Sequence, residues 1–324
     1  MKSLSLSCVL IPVSVLLASY NPLVDGALSE VCVKVVDDRG AAVPGASVKV
    51  SYQVSDYNGV SKDGTTDDRG VFVSKGRNIG SVWIYALKDG YYDARLHPDL
   101  REQSTAEAQQ SGAWTRGVRE VVLTLRRKFA PVKLVRKGGT YSNVKYPVLD
   151  EAKGFDLELF DWCPPHGNGR YADFTVKTEY WRSSDDWLKV YDKTVVSMTN
   201  CVDGFYLADV HPTSAFRYDY AANTNAVFSK ELVFEYDRRT GKVEVDRKLP
   251  EGKYLVVRTR TRLDGKGNLV SARYGLIRES FNPVSDLDVE YWYNPVDNEV
   301  SLEGDWRHVL PPPRAEVEQG RRRR

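Results

Sequence analysis

The chain has 324 residues, of which 42% are hydrophobic and 28% charged, with 46 basic side chains against 44 acidic ones. A charge this balanced argues against a nucleic-acid partner or any other strongly charged one. The length suits two domains of ordinary size, and the 19 tyrosines, 10 phenylalanines and 7 tryptophans favour strands, because aromatic side chains fit a pleated, half-buried surface. We therefore expect an all-β protein of two β-sandwich-like domains.

The N-terminus has the layout of a secretory signal peptide. Lys2 precedes an apolar stretch over residues 4–18, and small residues suited to a cleavage site follow up to residue 27. The apolar stretch is shorter than the roughly 20 residues that a spanning helix needs. We expect residues 1–27 to be a signal peptide and the mature chain to be periplasmic, cell-surface or extracellular, with no membrane span. An uncleaved anchor is the alternative.

Residues 28–128 contain short strand signals separated by glycine-rich turns. The run VCVKVVDDRGAAVPGASVKV holds two strands around turns at Gly40 and Gly45, where glycine supplies the positive φ that such turns require. Later strand signals lie at residues 71–73, 81–87 and 118–125. This series predicts a β-sandwich.

The order of these turns and strands resembles a known family. The segments VVDDRGAAVPGASV, TDDRGVF, KDGY and VVLTL are similar to the carboxypeptidase regulatory-like domain. The resemblance implies a small transthyretin-like (prealbumin-like) sandwich of the seven-strand type. In that family the domain is an accessory beside peptidases, adhesins and receptors, so the resemblance implies a fold and no particular ligand.

A long connection at residues 97–117 interrupts this domain. Connections of this length are commonly functional or disordered. Trp114 near its end is either an exposed ligand platform or a ring that folds back onto the core, and the large area that a buried indole removes from water favours the core.

Residues 129–310 form the second predicted domain, which begins after a basic cluster followed by Pro131. Eight strand signals recur without a helical period, which excludes a Rossmann-type site and predicts a larger antiparallel β-sandwich, with a jelly roll as one arrangement. Turns at residues 237–242 and 264–268 each predict a hairpin. Several segments of this domain, among them CVDGFYLADV, resemble the C-terminal region of exported bacterial proteins.

The densest group of polar residues lies around Asp156, Asp161, His166 and Asp173. Carboxylates that alternate along a strand share one face, where a pair could hydrolyse a glycosidic bond by acid/base chemistry. The same pattern also suits any solvated strand. His166 falls in a Pro-Pro-His-Gly-Asn-Gly segment, which is first a tight-turn signal.

Metal ligands are poorly represented. Asp161 and Asp173, with Asp203, offer oxygens for a structural calcium ion, but the D-x-D-x-D-G series of a dedicated calcium loop is missing. We expect no cofactor, with structural calcium as the alternative.

Removal of the signal peptide would leave Cys32, Cys163 and Cys201 in a compartment that permits disulfides. A bond between Cys163 and Cys201 is the preferred pairing, since both lie in the second domain. Three reduced thiols are the alternative.

Aromatic residues supply the strongest binding hypothesis, with Trp181 and Trp292 as the chosen candidates for an exposed platform. Exposed rings stack on sugars or anchor partner proteins. On a strand, Tyr291 and Tyr293 share one face while Trp292 points to the other, so one of these faces belongs to the core.

Residues 311–324, rich in proline and arginine, should form a disordered tail. The sequence as a whole predicts a non-catalytic extracytoplasmic binding or interaction protein with a glycan or a protein as ligand. The alternative is a carbohydrate-active enzyme, or an accessory to one, with its carboxylates in the second domain.

Overall fold

The computed structural model describes residues 20–55, 58–137, 144–147, 149–245, 249–278, 286–287 and 289–304. Strands account for 51% of the structure and helices for 4%, which confirms the predicted all-β, sandwich-like fold. Most of the predicted signal peptide and the whole predicted tail lie outside the described residues. Within those ranges, no helix is long and apolar enough to cross a membrane.

The chain divides into two compact units. The first runs to Arg127 and takes in the short segment Thr213–Ala215, whereas the second holds the rest of the chain from Lys128 onward. Each unit has a hydrophobic core of its own.

The first unit consists of two four-stranded sheets, in the orders β4-β1-β8-β6 and β3-β2-β5-β7. Its elements are α1 (Pro22–Asp25), β1 (Ala27–Asp37), β2 (Ser47–Gln53), β3 (Gly59–Thr65), β4 (Val71–Asn78), β5 (Val82–Leu87), β6 (Tyr91–Tyr92), β7 (Ala94–Leu96), α2 (Thr105–Ser111) and β8 (Ala113–Arg127). β1 pairs in parallel with β8 and antiparallel with β4.

The core of this unit follows from strand alternation, because successive side chains point to opposite faces of a sheet. Val31, Val33 and Val35 of β1 are fully buried and pack with the inward residues of the other sheet. Gly40 and Gly45 have φ angles of 79° and 65°, so the predicted turns require glycine there.

The long connection at residues 97–117 contains α2, a single short helix. Ser104 and Glu107 cap its N-terminus reciprocally, each side chain accepting from the other residue's backbone N–H. Trp114 is fully buried and its Nε1 donates to the backbone oxygen of Asn78 at 2.6 Å. The indole therefore belongs to the core and is not an exposed platform.

The second unit contains two five-stranded sheets, in the orders β12-β11-β13-β14-β16 and β15-β17-β18-β20-β9, and the pair β10-β19. Its strands are β9 (Val135–Lys137), β10 (Val144–Lys145), β11 (Lys153–Asp156), β12 (Asp161–Trp162), β13 (Phe174–Arg182), β14 (Val190–Met198), β15 (Gly204–Asp209), β16 (Glu231–Asp237), β17 (Lys253–Leu263), β18 (Leu269–Ile277), β19 (Asp286–Leu287) and β20 (Tyr291–Tyr293). Its core is rich in aromatic rings, with Phe155, Phe174 and Phe205 all fully buried.

One of the two predicted hairpins has the expected form. The turn at residues 264–268 joins β17 to β18, and an Asp264 carboxylate oxygen accepts from Lys266 N and Asn268 N at 2.8 Å each. In the part of the chain that the structure describes, the turn after Asp237 leads to an antiparallel bridge between Asp237 and Val245. The chain thus folds back on Asp237 as a short antiparallel turn, and β16 and β17 lie in different sheets.

Candidate functional site

The outer face of the sheet β3-β2-β5-β7 in the first unit carries an open groove of about 400 Å³. Its lining residues are Lys49, Ser51, Ser61, Trp83, Tyr85 and Leu87. The groove exists because β5 buries Val82, Ile84 and Ala86 on its inner side. Alternation then places the three large apolar side chains of β5 on the outer side.

Strand register sets the order of side chains across the groove. Ser51 of β2 pairs with Trp83 of β5 on one side and with Ser61 of β3 on the other. One step along, Lys49 lies between Tyr85 and Asp63. Small hydroxyl side chains beside the indole leave its flank open to solvent.

Trp83 is held in place by a second ring. The imidazole of His97, the residue directly after β7, stacks on Trp83 with ring centroids 4.0 Å apart and an interplanar angle of 4°. Tyr85 lies 6.3 Å away along the strand, with its plane tilted by 18°. β7 and β2 flank β5 on opposite sides, so His97 follows the strand on one side of Trp83 and Ser51 belongs to the strand on the other.

This arrangement suits a flat, polyhydroxylated ligand. An oriented indole that is 39% exposed offers an apolar surface for stacking. The serine hydroxyls both donate and accept hydrogen bonds, and the Lys49 ammonium donates three. A pyranose ring presents C–H groups on one face and hydroxyls at its edge, which matches both parts of the groove.

None of the residues that line this groove was predicted from the sequence to bind a ligand, although the sequence of β5 carries the signal. The β5 run reads VWIYAL, and an inward Val-Ile-Ala series forces the Trp-Tyr-Leu series outward. The aromatic residues predicted as a platform, Trp181 and Trp292, lie in the second domain, and strand alternation was applied to residues 291–293 but not to β5.

The predicted carboxylates Asp156 and Asp173 do come together, around the half-buried side chain of Arg260 in the second unit. Arg260 Nη2 donates to Asp156 at 2.9 Å, and Arg260 Nε donates to Asp173 at 2.9 Å. Glu158 also accepts from Arg260, and it accepts from Arg273 at 2.8 Å. Asp156 is 2% exposed and Asp173 is fully buried.

The remaining oxygen lone pairs of Asp156 are occupied by backbone groups. One oxygen accepts from Glu158 N at 2.9 Å and Leu159 N at 3.1 Å, and the other accepts from Arg170 N at 2.9 Å and Tyr171 N at 3.1 Å. A carboxylate engaged in this way fixes two loops and has no capacity left for a substrate.

The pKa of Asp173 is raised above that of a free aspartate. Burial raises its pKa to about 6, against the hydrogen bonds and charge of Arg260, which lower it. Arg260 itself is partly buried, which lowers its pKa, but Asp173 and Asp156 more than compensate, so that its pKa is raised. The cluster is an ion network between the two sheets, with two buried aspartates and partly exposed arginines.

Asp161 is the first residue of β12, and His166 lies in the turn that follows this strand. Asp161 accepts from Trp162 N at 2.8 Å and from Asn168 N at 2.9 Å, so it shapes the turn. His166 is exposed. Across the part of the chain that the structure describes, no three His, Cys, Asp or Glu side chains come close enough to hold a metal ion.

The preferred disulfide is not formed. Cys32, Cys163 and Cys201, the cysteines within the described ranges, are all free. Cys163 is half-buried beside β11, where its N–H donates to Gly154 O at 2.8 Å, whereas Cys201 is exposed in the turn after β14. The predicted bond between Cys163 and Cys201 is therefore wrong. The pairing was chosen only because both cysteines lie in the second domain.

The two tryptophans chosen from sequence as a binding platform differ in exposure: Trp181 is exposed and Trp292 is buried. Trp181 is 46% exposed on the outer face of β13, opposite Tyr191 of β14. Trp292 is only 3% exposed and packs near Tyr218 with ring centroids 5.7 Å apart. Trp292 is therefore a core residue, and its assignment as a platform was wrong, because both faces of β20 are covered.

No family model matches this chain, and no curated protein matches it. Among solved structures, 3-chlorocatechol 1,2-dioxygenase from Rhodococcus opacus 1CP is 11% identical with a TM-score of 0.25, over 32% of this chain and 61% of that one. Hydroxyquinol 1,2-dioxygenase from Pseudomonas putida DLL-E4 is also 11% identical with a TM-score of 0.25, over 32% of this chain and 58% of that one. The chain thus spans less than two thirds of their length, and a likeness this low carries no inference about activity.

Proposed function

We propose that this protein is a non-catalytic, extracytoplasmic carbohydrate-binding protein whose first unit supplies the binding groove. The observation that carries the proposal is the stacked pair of Trp83 and His97 beside the hydroxyls of Ser51 and Ser61. A ring that is oriented before binding loses little conformational freedom when a sugar stacks on it. The apolar N-terminal stretch at residues 4–18 supports export, and the resemblance to carboxypeptidase regulatory-like domains supports an accessory role.

A carbohydrate-active enzyme with Asp156, Asp161 and Asp173 as its acids receives less support. A glycosidase needs one carboxyl group that reaches the leaving oxygen and another that reaches the sugar or a water molecule. Asp156 and Asp173 are buried against Arg260, and Asp161 accepts from two backbone N–H groups. The groove in the first unit provides the better-supported function.

The test is a glycan array with the purified protein, followed by calorimetry on the best ligand. We expect Trp83→Ala to weaken binding at least about tenfold, because buried interface tryptophans commonly contribute 2 kcal/mol or more. Trp181→Ala is the matched control, since Trp181 is also an exposed strand tryptophan, and it should bind as the unmodified protein does. Equal binding by Trp83→Ala, no glycan binding at all, or release of reducing sugar would contradict the proposal.

A further inference from the structure

β15 lies at the edge of its sheet in the second unit, so one side of its backbone does not pair with a neighbouring strand of that sheet. Phe205 N donates to Ser229 O and Ser229 N donates to Phe205 O, both at 2.8 Å, on the side away from β17. In an antiparallel strand, the N–H and C=O groups of alternate residues point to the same side. Residues two and four positions after Phe205 therefore also direct their backbone groups outward.

Those residues are Leu207 and Asp209. The register with β17 is continuous from Gly204 to Asp209, so the alternation is not shifted. Among the residues that the structure describes, nothing hydrogen-bonds to the outward N–H and C=O of Leu207 or Asp209. The loop closes the edge again just beyond, where His211 N donates to Arg217 O at 2.8 Å.

A groove of about 750 Å³ opens directly beside this free edge. Leu207, Leu232 and Leu255 contribute apolar side chains to it. Continuation of the Phe205–Ser229 pairing would bring Val227 opposite Leu207, but among the described residues no bridge joins these two, and Val227 lines the groove with its side chain 93% exposed. The gap contains both unpaired backbone groups and an apolar floor.

We propose that the edge of β15 binds an extended peptide as an added strand. The peptide backbone would pair with the N–H and C=O of Leu207 and Asp209, which recur with the two-residue period of a strand. One apolar peptide side chain would enter the groove against Leu207, Leu232 and Leu255. A peptide main chain is the ligand whose donors and acceptors match this edge.

The probe is an eight-residue synthetic peptide of alternating valine and threonine between terminal lysines, with a glycine–serine peptide of equal length as control. Asp209→Pro removes an outward N–H that makes no bond to β17, and proline is tolerated on sheet edges. Asp209→Ala is the matched variant, because it also loses the contact of the carboxylate with Lys253 but keeps the N–H. We expect Asp209→Pro to weaken binding of the valine–threonine peptide at least tenfold and Asp209→Ala to change it less than twofold.

Hydrogen exchange on the unmodified protein tests the same proposal without a substitution. The peptide should slow amide exchange at Leu207 and Asp209, and the glycine–serine peptide should not. Equal binding by Asp209→Pro and Asp209→Ala, or protection at other amides only, would overturn the proposal. A dimer of the protein that Asp209→Pro abolishes would also overturn it, because the occupant would then be a second copy of this chain.

Discussion

The guanidinium of Arg260 donates to both carboxylate oxygens of Asp173, from Nε at 2.9 Å and from Nη2 at 3.1 Å. Asp173 directly precedes β13 in one sheet of the second unit, and Arg260 lies on β17 in the other. The register between β17 and β18 shifts after Thr259, and Arg260 adopts a φ of 53°, which is rare for a residue other than glycine. The bulge thus turns the arginine inward, where it joins the two sheets.

Arg260→Ala should therefore strongly destabilise the protein. Removal of one partner of a buried ion pair leaves an uncompensated charge and typically costs 3–5 kcal/mol. Here Asp156 and Asp173 would both lose their cation. Urea denaturation followed by tryptophan fluorescence measures the free energy of unfolding.

Lys177→Ala is the control for that measurement. Lys177 pairs with Glu179 at 3.3 Å, and both side chains are nearly half exposed, so its loss should change the unfolding free energy by about 0.5 kcal/mol or less. Equal effects of the two substitutions would contradict a structural role for the Arg260 network.

Asp173 should give the stability a pH dependence that is unusual for an aspartate. Burial raises its pKa from 3.8 to about 6, so between these values the folded state binds more protons than the unfolded state. Stability contributed by this group is therefore greatest below pH 4 and falls as the pH rises to 6, by on the order of 3 kcal/mol at 1.36 kcal/mol per pKa unit. Above pH 6 it should stay constant.

The measurement is urea denaturation of the unmodified protein and Asp173→Asn at intervals from pH 4 to pH 8. The difference between the two unfolding free energies isolates Asp173 from other carboxyl groups. Asp297→Asn is a control for which the pH dependence should have the opposite sign. The hydrogen bond from Arg273 lowers the pKa of Asp297, so the stability that this group contributes is lost as the pH falls. The unfolding free energy of the unmodified protein minus that of Asp173→Asn should fall between pH 4 and pH 6. A rise of this difference over the same range would refute the prediction.

The sequence predicted the strand-rich fold because turn chemistry and alternation are local. Gly40 and Gly45 have the positive φ that their turns required, and Asp264 initiates the predicted hairpin. Pairing between distant strands is not local. β1 pairs in parallel with β8, and β16 and β17 lie in different sheets. Both features depend on tertiary packing, about which a turn signal carries no information.

The candidate site was predicted less well, for a related reason. The cluster around Asp156 and Asp173 was identified, but its partner Arg260 lies 87 residues beyond Asp173 and is turned inward by a bulge that the sequence does not mark. Trp292 was chosen by residue type, and the structure buries it. Trp83 could have been found from the VWIYAL run alone, since its exposure follows from the burial of Val82 and Ile84.

Free thiols should be measurable directly. Labelling with a thiol reagent under native conditions should modify Cys201 first, because it is exposed, while Cys32 and Cys163 react more slowly. Burial raises the pKa of both slower cysteines, and the thiolate is the reactive form. Mass spectrometry after denaturation without reductant should find a label on all three. A Cys163–Cys201 crosslink would contradict the structure.

Trp83 and Trp114 belong to the same unit, but truncation of the two side chains should destabilise it by very different amounts. Trp114→Ala removes a fully buried indole and its hydrogen bond to Asn78, so we expect a loss of about 3–5 kcal/mol in unfolding free energy. Trp83→Ala removes a ring that is 39% exposed and packs against His97 on the outer face of β5, and the loss should stay below about 1 kcal/mol. Denaturation of both variants under one set of conditions measures the difference. A Trp83→Ala protein as unstable as Trp114→Ala would mean that the Trp83 ring serves the core, and loss of glycan binding in that variant would then no longer indicate a binding groove.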